Sequence, residues 1–379
     1  MNDFTEDLLV QKTMADYLAE EHGWRSVMAW NSETFGPEGT LGRRSDKDVI
    51  LTRYLSDALV TLNPGLPDDA YQQALRQITE TFASQSLLKT NQEKYELLRD
   101  GVQVKFRQNN EPRVEHLRVF DFDMPENNDF LCVREMWIRG YAHRRRADIV
   151  GFVNGLPLMF CELKRPDKDL RRAYAENLSD YKDTVPHLLH FNAFVILGNG
   201  EEGRMGSISA EYAHFAEWLK LHEGDRRDAR LPMEALLKIV CDKQRFMDLF
   251  ENFILFADGA NGLAKIIAKN HQYLGVNRAV EAVKTRDDLE RKLGVFWHTQ
   301  GSGKSLLMAF FAGLLVRSSA MENPTLIVLT DRNDLDDQLF QTFAMTKDLI
   351  RQPPEHAESR EELRDLLTRQ SGGFASARA

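Results

Sequence analysis

Phe4, Leu8, Leu9, Met14 and Leu18 fall on one side of a helical wheel, so residues 3–22 read as an amphipathic helix. Residues 46–62 give a second helix, closed by Asn63-Pro64-Gly65. Asp68 and Asp69, ahead of Ala74, Leu75 and Ile78, predict a third. The period then changes to two. GVQVKF (101–106) and EHLRVFDF (115–122) alternate and read as strands. Residues 130–194 are strand-rich, with one helix near 169–183, and FVILGNG (194–200) is a buried strand running into a glycine turn. The region 101–200 is therefore expected to form one mixed sheet. From 233 to 256 the pattern is helical again. The polar stretch EGDRRDARLP (223–232) places a domain boundary shortly after it, giving units of 1–235 and 236–379. The small, polar tail 372–379 is expected to be disordered.

Composition narrows this picture modestly. The formal net charge of −9 argues against a generally basic nucleic-acid coat but leaves room for a local basic groove. One basic run stands out, with Arg139, His143, Arg144, Arg145 and Arg146 ahead of Asp148. It reads either as a solvated turn or as a DNA-facing patch. Cys132, Cys161 and Cys241 form no C-x-x-C pair, which argues against a zinc site or a disulfide framework. The acidic start MNDFTEDLL carries no secretion pattern, and the longest apolar run, 306–316, is shorter than the ~20 residues that span a bilayer. A cytoplasmic protein without membrane contact is expected.

Two segments carry candidate chemistry. In the first, Asp148 opens the strand DIVGFV, Asn154-Gly155 marks a hairpin, and Glu162 and Lys164 share one face of the returning strand LMFCELK. Two carboxylates can hold Mg²⁺, and a lysine can position the attacking water and offset developing charge. An Asp followed by Glu-x-Lys arises about once by chance in a chain of this length, so three solvated charges are the competing reading. Register separates the two. A plain two-residue loop sets Asp148 opposite Cys161, whereas a three-residue loop or a bulge, for example at Pro157, sets it opposite Glu162.

In the second, HTQGSGKS (298–305) follows the apolar segment 293–297, read as a strand, and precedes the helix LLMAFFAGLLV. Strand, glycine loop and helix in that order cradle phosphates on backbone amides. Gly301, Ser302, Gly303, Lys304 and Ser305 are then the nucleotide-binding residues. Lys304 reaches the terminal phosphates and Ser305 ligates Mg²⁺, which implies a nucleoside triphosphate as cofactor.

The segment RADIVGFVNGLPLMFCELKRP resembles the PD-(D/E)xK nuclease motif of the restriction (R) subunit of type I restriction enzymes. The resemblance implies a Gln-x-x-x-Tyr element on the next helix. Tyr181 matches it, and Asn177 stands at the glutamine position with a shorter reach. It also implies a metal-binding glutamate on the first helix, for which Glu6 is the candidate. WHTQGSGKS is similar to that family's phosphate loop. In the related superfamily 2 motors a glutamine upstream of the loop reads adenine, a role that passes to Gln272. TLIVLTDRNDLDDQ resembles the strand and turn touching the DNA track, with Asp331, Arg332, Leu335 and Gln338 matching.

The expected architecture is α/β: a restriction-endonuclease-like mixed-sheet domain followed by an incomplete RecA-like phosphate-loop domain. The expected activity is Mg²⁺-dependent cleavage of double-stranded DNA, coupled in the full-length family to ATP-driven translocation. Methyltransferase and specificity subunits are the implied partners. The family's acidic DEAH-type box and arginine finger lie beyond the matched region, so a truncated product without ATPase activity is expected. A standalone nuclease and a non-catalytic remnant are the alternative readings.

Overall fold

The computed structural model describes residues 10–81, 85–108, 111–222, 224–225, 231–259, 262–288, 290–322, 324–330, 333–350, 353–357, 359–368 and 374–378. They fall into two compact units. One comprises residues 1–221 and 226–251, the other 222–225 and 252–379. Among the described residues no helix is long and apolar enough to cross a membrane.

In the first unit, α1 (Lys12–His22) buries Met14, Ala15 and Leu18 and ends at Gly23, whose φ of 65° lets its amide turn back onto Ala19 and Leu18 carbonyls. β1 (Arg25–Met28) follows, then α2 (Thr52–Leu62), α3 (Asp68–Thr79) and α4 (Leu87–Asp100). The expected second helix begins at Thr52 rather than 46. The preceding residues are held by tertiary bonds: the buried Arg43 guanidinium donates to Asp48 O at 2.9 Å, and Arg139 N donates to Asp46 O at 2.7 Å. The α4 helix has no counterpart in the sequence reading, because it buries Thr90, Asn91, Gln92 and Lys94 and so hides its period.

β2 (Val102–Gln108) and β3 (Glu111–Leu117) pair only with each other among the described residues, as an antiparallel ribbon. This corrects the expectation that they join the main sheet. That sheet contains β4 (Phe130–Arg139), β5 (Arg144–Val153), β6 (Leu156–Leu163), β7 (Phe194–Gly198) and β8 (Gly203–Gly206) together with β1. The order is β1-β4-β5-β6-β7-β8. β1–β4 and β6–β7 run parallel and the other pairs antiparallel, so the sheet is mixed. Between β6 and β7 the chain runs through α5 (Leu170–Arg172), a π-turn at Ala173–Leu178, and α6 (Ser179–Thr184). Leu178, Tyr181, Val185, Leu188 and Leu189 from this connection pack on Val150, Phe152, Phe160 and Val195 of the sheet, forming one contiguous core. α7 (Pro232–Val240) and α8 (Lys243–Asn252) complete the helices of this part of the chain; the expected boundary at 235/236 cuts α7. All three cysteines are buried and free, and burial pushes the Cys132 thiol up to about 12.

In the second unit β9 (Ile254–Gly259) and β10 (Gly262–Ile267) form a hairpin where a helix is expected to run on to 256. α9 (Asn270–Lys284) and α10 (Lys304–Arg317) pack together and precede β11 (Leu326–Thr330), α11 (Asn333–Met345), α12 (Lys347–Ile350), β12 (Glu355–Ala357), α13 (Arg360–Thr368) and β13 (Phe374–Arg378). β13 lies between β11 and β12 in a three-stranded parallel sheet. The tail is thus a strand over 374–378 where disorder is expected. Pairing on both edges orders it, and backbone pairing leaves no mark on side-chain composition. The expected strand at 293–297 is not formed. A parallel strand needs ladder partners, none among the described residues pairs with this segment, and Val295 and Trp297 are 89% and 94% exposed.

Candidate active site

The site is built by the β5–β6 hairpin. Asn154 and Gly155 both take left-handed φ, 48° and 78°, as a two-residue primed turn requires, and Val153 faces Leu156 across it. That register alone would misplace Asp148. A bulge then intervenes: Phe152 faces Pro157, but Gly151 faces Met159, leaving Leu158 as the extra residue. Beyond it Ile149 faces Cys161, and one residue further the same register sets Asp148 across from Glu162.

The hydrogen bonds hold that arrangement. Asp148 Oδ2 accepts from Leu163 N at 2.8 Å, and its Oδ1 accepts from Gln11 Nε2 at 3.0 Å. Glu162 is 2% exposed, and its Oε1 accepts from Lys164 Nζ at 2.9 Å. Lys164 N donates to Gly198 O at 2.8 Å, fixing the lysine to the end of β7. The three expected residues therefore come together. Gln11, at the start of α1, joins them without any signal in the sequence, because its contact spans 137 positions.

Tyr181 sits on Phe160 with ring centroids 4.8 Å apart and donates its hydroxyl to Arg146 O at 2.7 Å. Burial, followed by the charges of Glu162 and Asp148, holds its phenol well above the ordinary value, so it remains a donor. It tethers β5 two residues before Asp148. Asn177 is half-buried and makes no side-chain hydrogen bond with the described residues.

Arginines 144–146 are each paired. Arg144 Nε lies 2.8 Å from Asp46, Arg146 Nε lies 2.6 Å from Glu135, and Arg145 forms a two-pronged pair with Asp180. The basic run is thus laced into the fold through carboxylates distant in sequence. Glu135 is buried and holds a φ of 55°, rare for a residue with a side chain. It stands in β4 where the ladder to β5 is interrupted, between the pairs Arg134–Ile149 and Met136–Ala147, and so beside Asp148. Glu6, Asp331 and Arg332 lie outside the described residues, as do the side chains of Leu335 and Gln338.

Among the described residues no cluster of three or more His, Cys, Asp or Glu could hold a metal ion. The donor set still suits one divalent cation. Mg²⁺ keeps several waters and is commonly held by one or two carboxylates. Gln11 Oε1 adds a buried oxygen that has no hydrogen-bond partner among the described residues.

In the second unit Gly301 and Gly303 have φ of 77° and 83°, and Lys304 opens α10. Lys304 Nζ donates to His298 O at 2.9 Å, so the lysine folds back over the loop. Gln272 is 3% exposed and donates to Gly303 O at 3.1 Å, while its own Oε1 accepts from Lys269 N at 2.8 Å. Gln272 and the glycine loop are therefore neighbours, and the amide braces the loop backbone.

Residues 3–214 match the family described as type I restriction enzyme R protein N terminus. The chain belongs to this family. Residues 271–377 match the SWI2/SNF2 ATPase family. The type I restriction enzyme HindI endonuclease subunit of Haemophilus influenzae is 40% identical over 347 residues, 89% of this chain and 33% of the relative. A Methanocaldococcus jannaschii relative, named as an MjaIXP endonuclease subunit, is 26% identical over 361 residues, 88% of this chain and 33% of its own length. The chain thus spans about a third of the length of these curated relatives. Membership supports a nuclease class and accounts for the order of parts, nuclease-like sheet first and ATPase-like segment second.

Proposed function

We propose that the first unit is a Mg²⁺-dependent endonuclease acting on double-stranded DNA, with Asp148 and Glu162 as metal ligands and Lys164 as the group beside the reacting phosphate. The observation that carries this is the bulge at Leu158, which sets Asp148 across from Glu162 against the register of its own turn. Glu6, placed by resemblance, would complete the metal site. The cation would polarise the phosphate and lower the pKa of the attacking water. Gln11 and Leu163 N orient Asp148. Lys164 holds Glu162 and presents its ammonium to developing negative charge. Tyr181 fixes the strand that carries Asp148, and Asn177 faces substrate. Arg144, Arg145 and Arg146 are 43%, 30% and 40% exposed, enough to exchange a carboxylate for a DNA phosphate.

In the second unit Gly301, Ser302, Gly303, Lys304 and Ser305 bind the phosphates of ATP and its Mg²⁺, Gln272 reads adenine once released from the loop carbonyls, and Arg332 contacts DNA. In the whole protein these parts couple cleavage to translocation within a complex containing methyltransferase and specificity subunits, in the cytoplasm. The test is nicking of supercoiled plasmid by the purified chain with Mg²⁺ or EDTA. Mg²⁺-dependent nicking that Glu162→Gln removes, with thermal unfolding unchanged, supports the assignment. Equal nicking by Glu162→Gln rejects it.

A further inference from the structure

A second concavity in the first unit shares no residue with the carboxylate site. It has a volume of about 470 Å³, within the ~300–1,000 Å³ of small-molecule sites. Its lining is divided by polarity. Val49, Leu75 and Phe191 are apolar, while Arg44, Lys47 and Arg76 bring positive charge against the single carboxylate of Asp48. Three cations against one anion leave a surplus of two. Asp48 is engaged by Arg44 at 3.3 Å, and among the described residues neither Lys47 nor Arg76 lies within salt-bridge distance of a carboxylate.

The surrounding structure reinforces this sign. Thr52, the first residue of α2, lines the concavity, and the residue before it, Leu51, offers no side-chain cap, so the positive end of the helix faces the same region. The carbonyl end of α3, at Thr79, would oppose an anion. It is neutralised: buried Lys94 donates to Gln77 O at 3.0 Å, Ile78 O at 2.7 Å and Glu80 O. The wall is also preformed. Arg43 is buried, pairs with Glu33, and donates to Asp48 O and Trp137 O, which holds the loop that carries Arg44, Lys47 and Asp48. His187 and His190 complete the lining, and burial lowers both imidazole pKa values, so the standing charge rests on lysine and arginine.

We propose that this cavity binds a small phosphorylated ligand of nucleotide size, its apolar body against Val49, Leu75 and Phe191 and its phosphate between Lys47 and Arg76. The test uses the full chain carrying Lys304→Ala, which weakens nucleotide binding at the glycine loop, with AMP, inorganic phosphate and a short DNA duplex as separate calorimetric titrants. Saturable AMP binding is expected, weakened at least tenfold by Lys47→Gln with Arg76→Gln. Leu75→Trp, which fills the apolar side and leaves both cations, should weaken AMP binding while sparing phosphate. Thermal unfolding controls for loss of fold; if the double variant unfolds, Arg76→Gln alone and Leu75→Trp carry the decision. Absence of saturable AMP binding overturns the proposal, as does binding indifferent to these substitutions. Duplex binding that needs Lys47 and Arg76, without AMP binding, also overturns it by assigning the surface to nucleic acid.

Discussion

At the residue scale the carboxylate pair depends on neighbours that do no chemistry themselves. Gln11 fixes one oxygen of Asp148 and holds its own Oε1 buried beside it, so Gln11→Leu removes an orienting donor and one candidate ligand oxygen while sparing both carboxylates. Loss of such a partner typically lowers metal affinity or activity ~10–100-fold. That range is expected for Mg²⁺ binding by calorimetry and for plasmid nicking, with little change in unfolding temperature. An unchanged Mg²⁺ affinity would show that the contact is incidental. Tyr181→Phe keeps the packing on Phe160 and removes one hydrogen bond to Arg146 O. A stability loss of about 1 kcal/mol is expected in urea unfolding. Glu135 gives a sharper contrast. Glu135→Ala and Glu135→Gly both delete the carboxylate that pairs with Arg146, yet only glycine accepts a φ of 55° freely. The glycine variant should be the more stable by about 1 kcal/mol. Equal stability would mean that the strand relaxes once the carboxylate is gone.

At the element scale the hairpin and its connection are held by buried polar groups as well as by apolar packing. The turn after α6 carries His190, whose pKa is lowered to about 4, first by burial and then by His187 and Lys94. In the unfolded chain an imidazole titrates near ~6.5. Between the two values the unfolded state holds more protons, so stability falls as pH drops from about 6.5 toward 4. His190→Asn should flatten that segment of the pH–stability curve measured by urea unfolding. Asp180, held low mainly by its hydrogen bonds to Arg145, stabilises the fold throughout this window and loses that contribution only at lower pH, between the ordinary carboxylate value and its depressed folded one. A curve unaltered between pH 6.5 and 4 in the variant would exclude His190 as its source.

For the whole molecule, the two candidate sites fall in different compact units. Lys304 stands at the glycine loop of the second, whereas Asp148 and Glu162 belong to the first. Lys304→Ala is therefore expected to weaken binding of a fluorescent ATP analogue at least tenfold while leaving Mg²⁺-dependent nicking by the isolated chain unchanged. Loss of both together would show that the units are coupled even without other subunits.

Local signals made part of this legible in the sequence. The Asn154-Gly155 turn, the alternating strands around it and the glycine loop before α10 each depend on residues close along the chain, so spacing alone reveals them. The candidate trio Asp148, Glu162 and Lys164 was legible for the same reason. What tertiary structure alone decided is long-range. The bulge at Leu158 selects one of two registers that the turn leaves open, because only the packed sheet fixes which faces are buried. Gln11 reaches Asp148, and Asp46, Glu135 and Asp180 reach the arginine run, through contacts that carry no sequence period. The α4 helix was hidden because it buries polar side chains, and β13 because its order comes from strands on either side. Periodicity reports a residue's own element; the partner that satisfies a buried charge or an open strand edge is set by the fold as a whole.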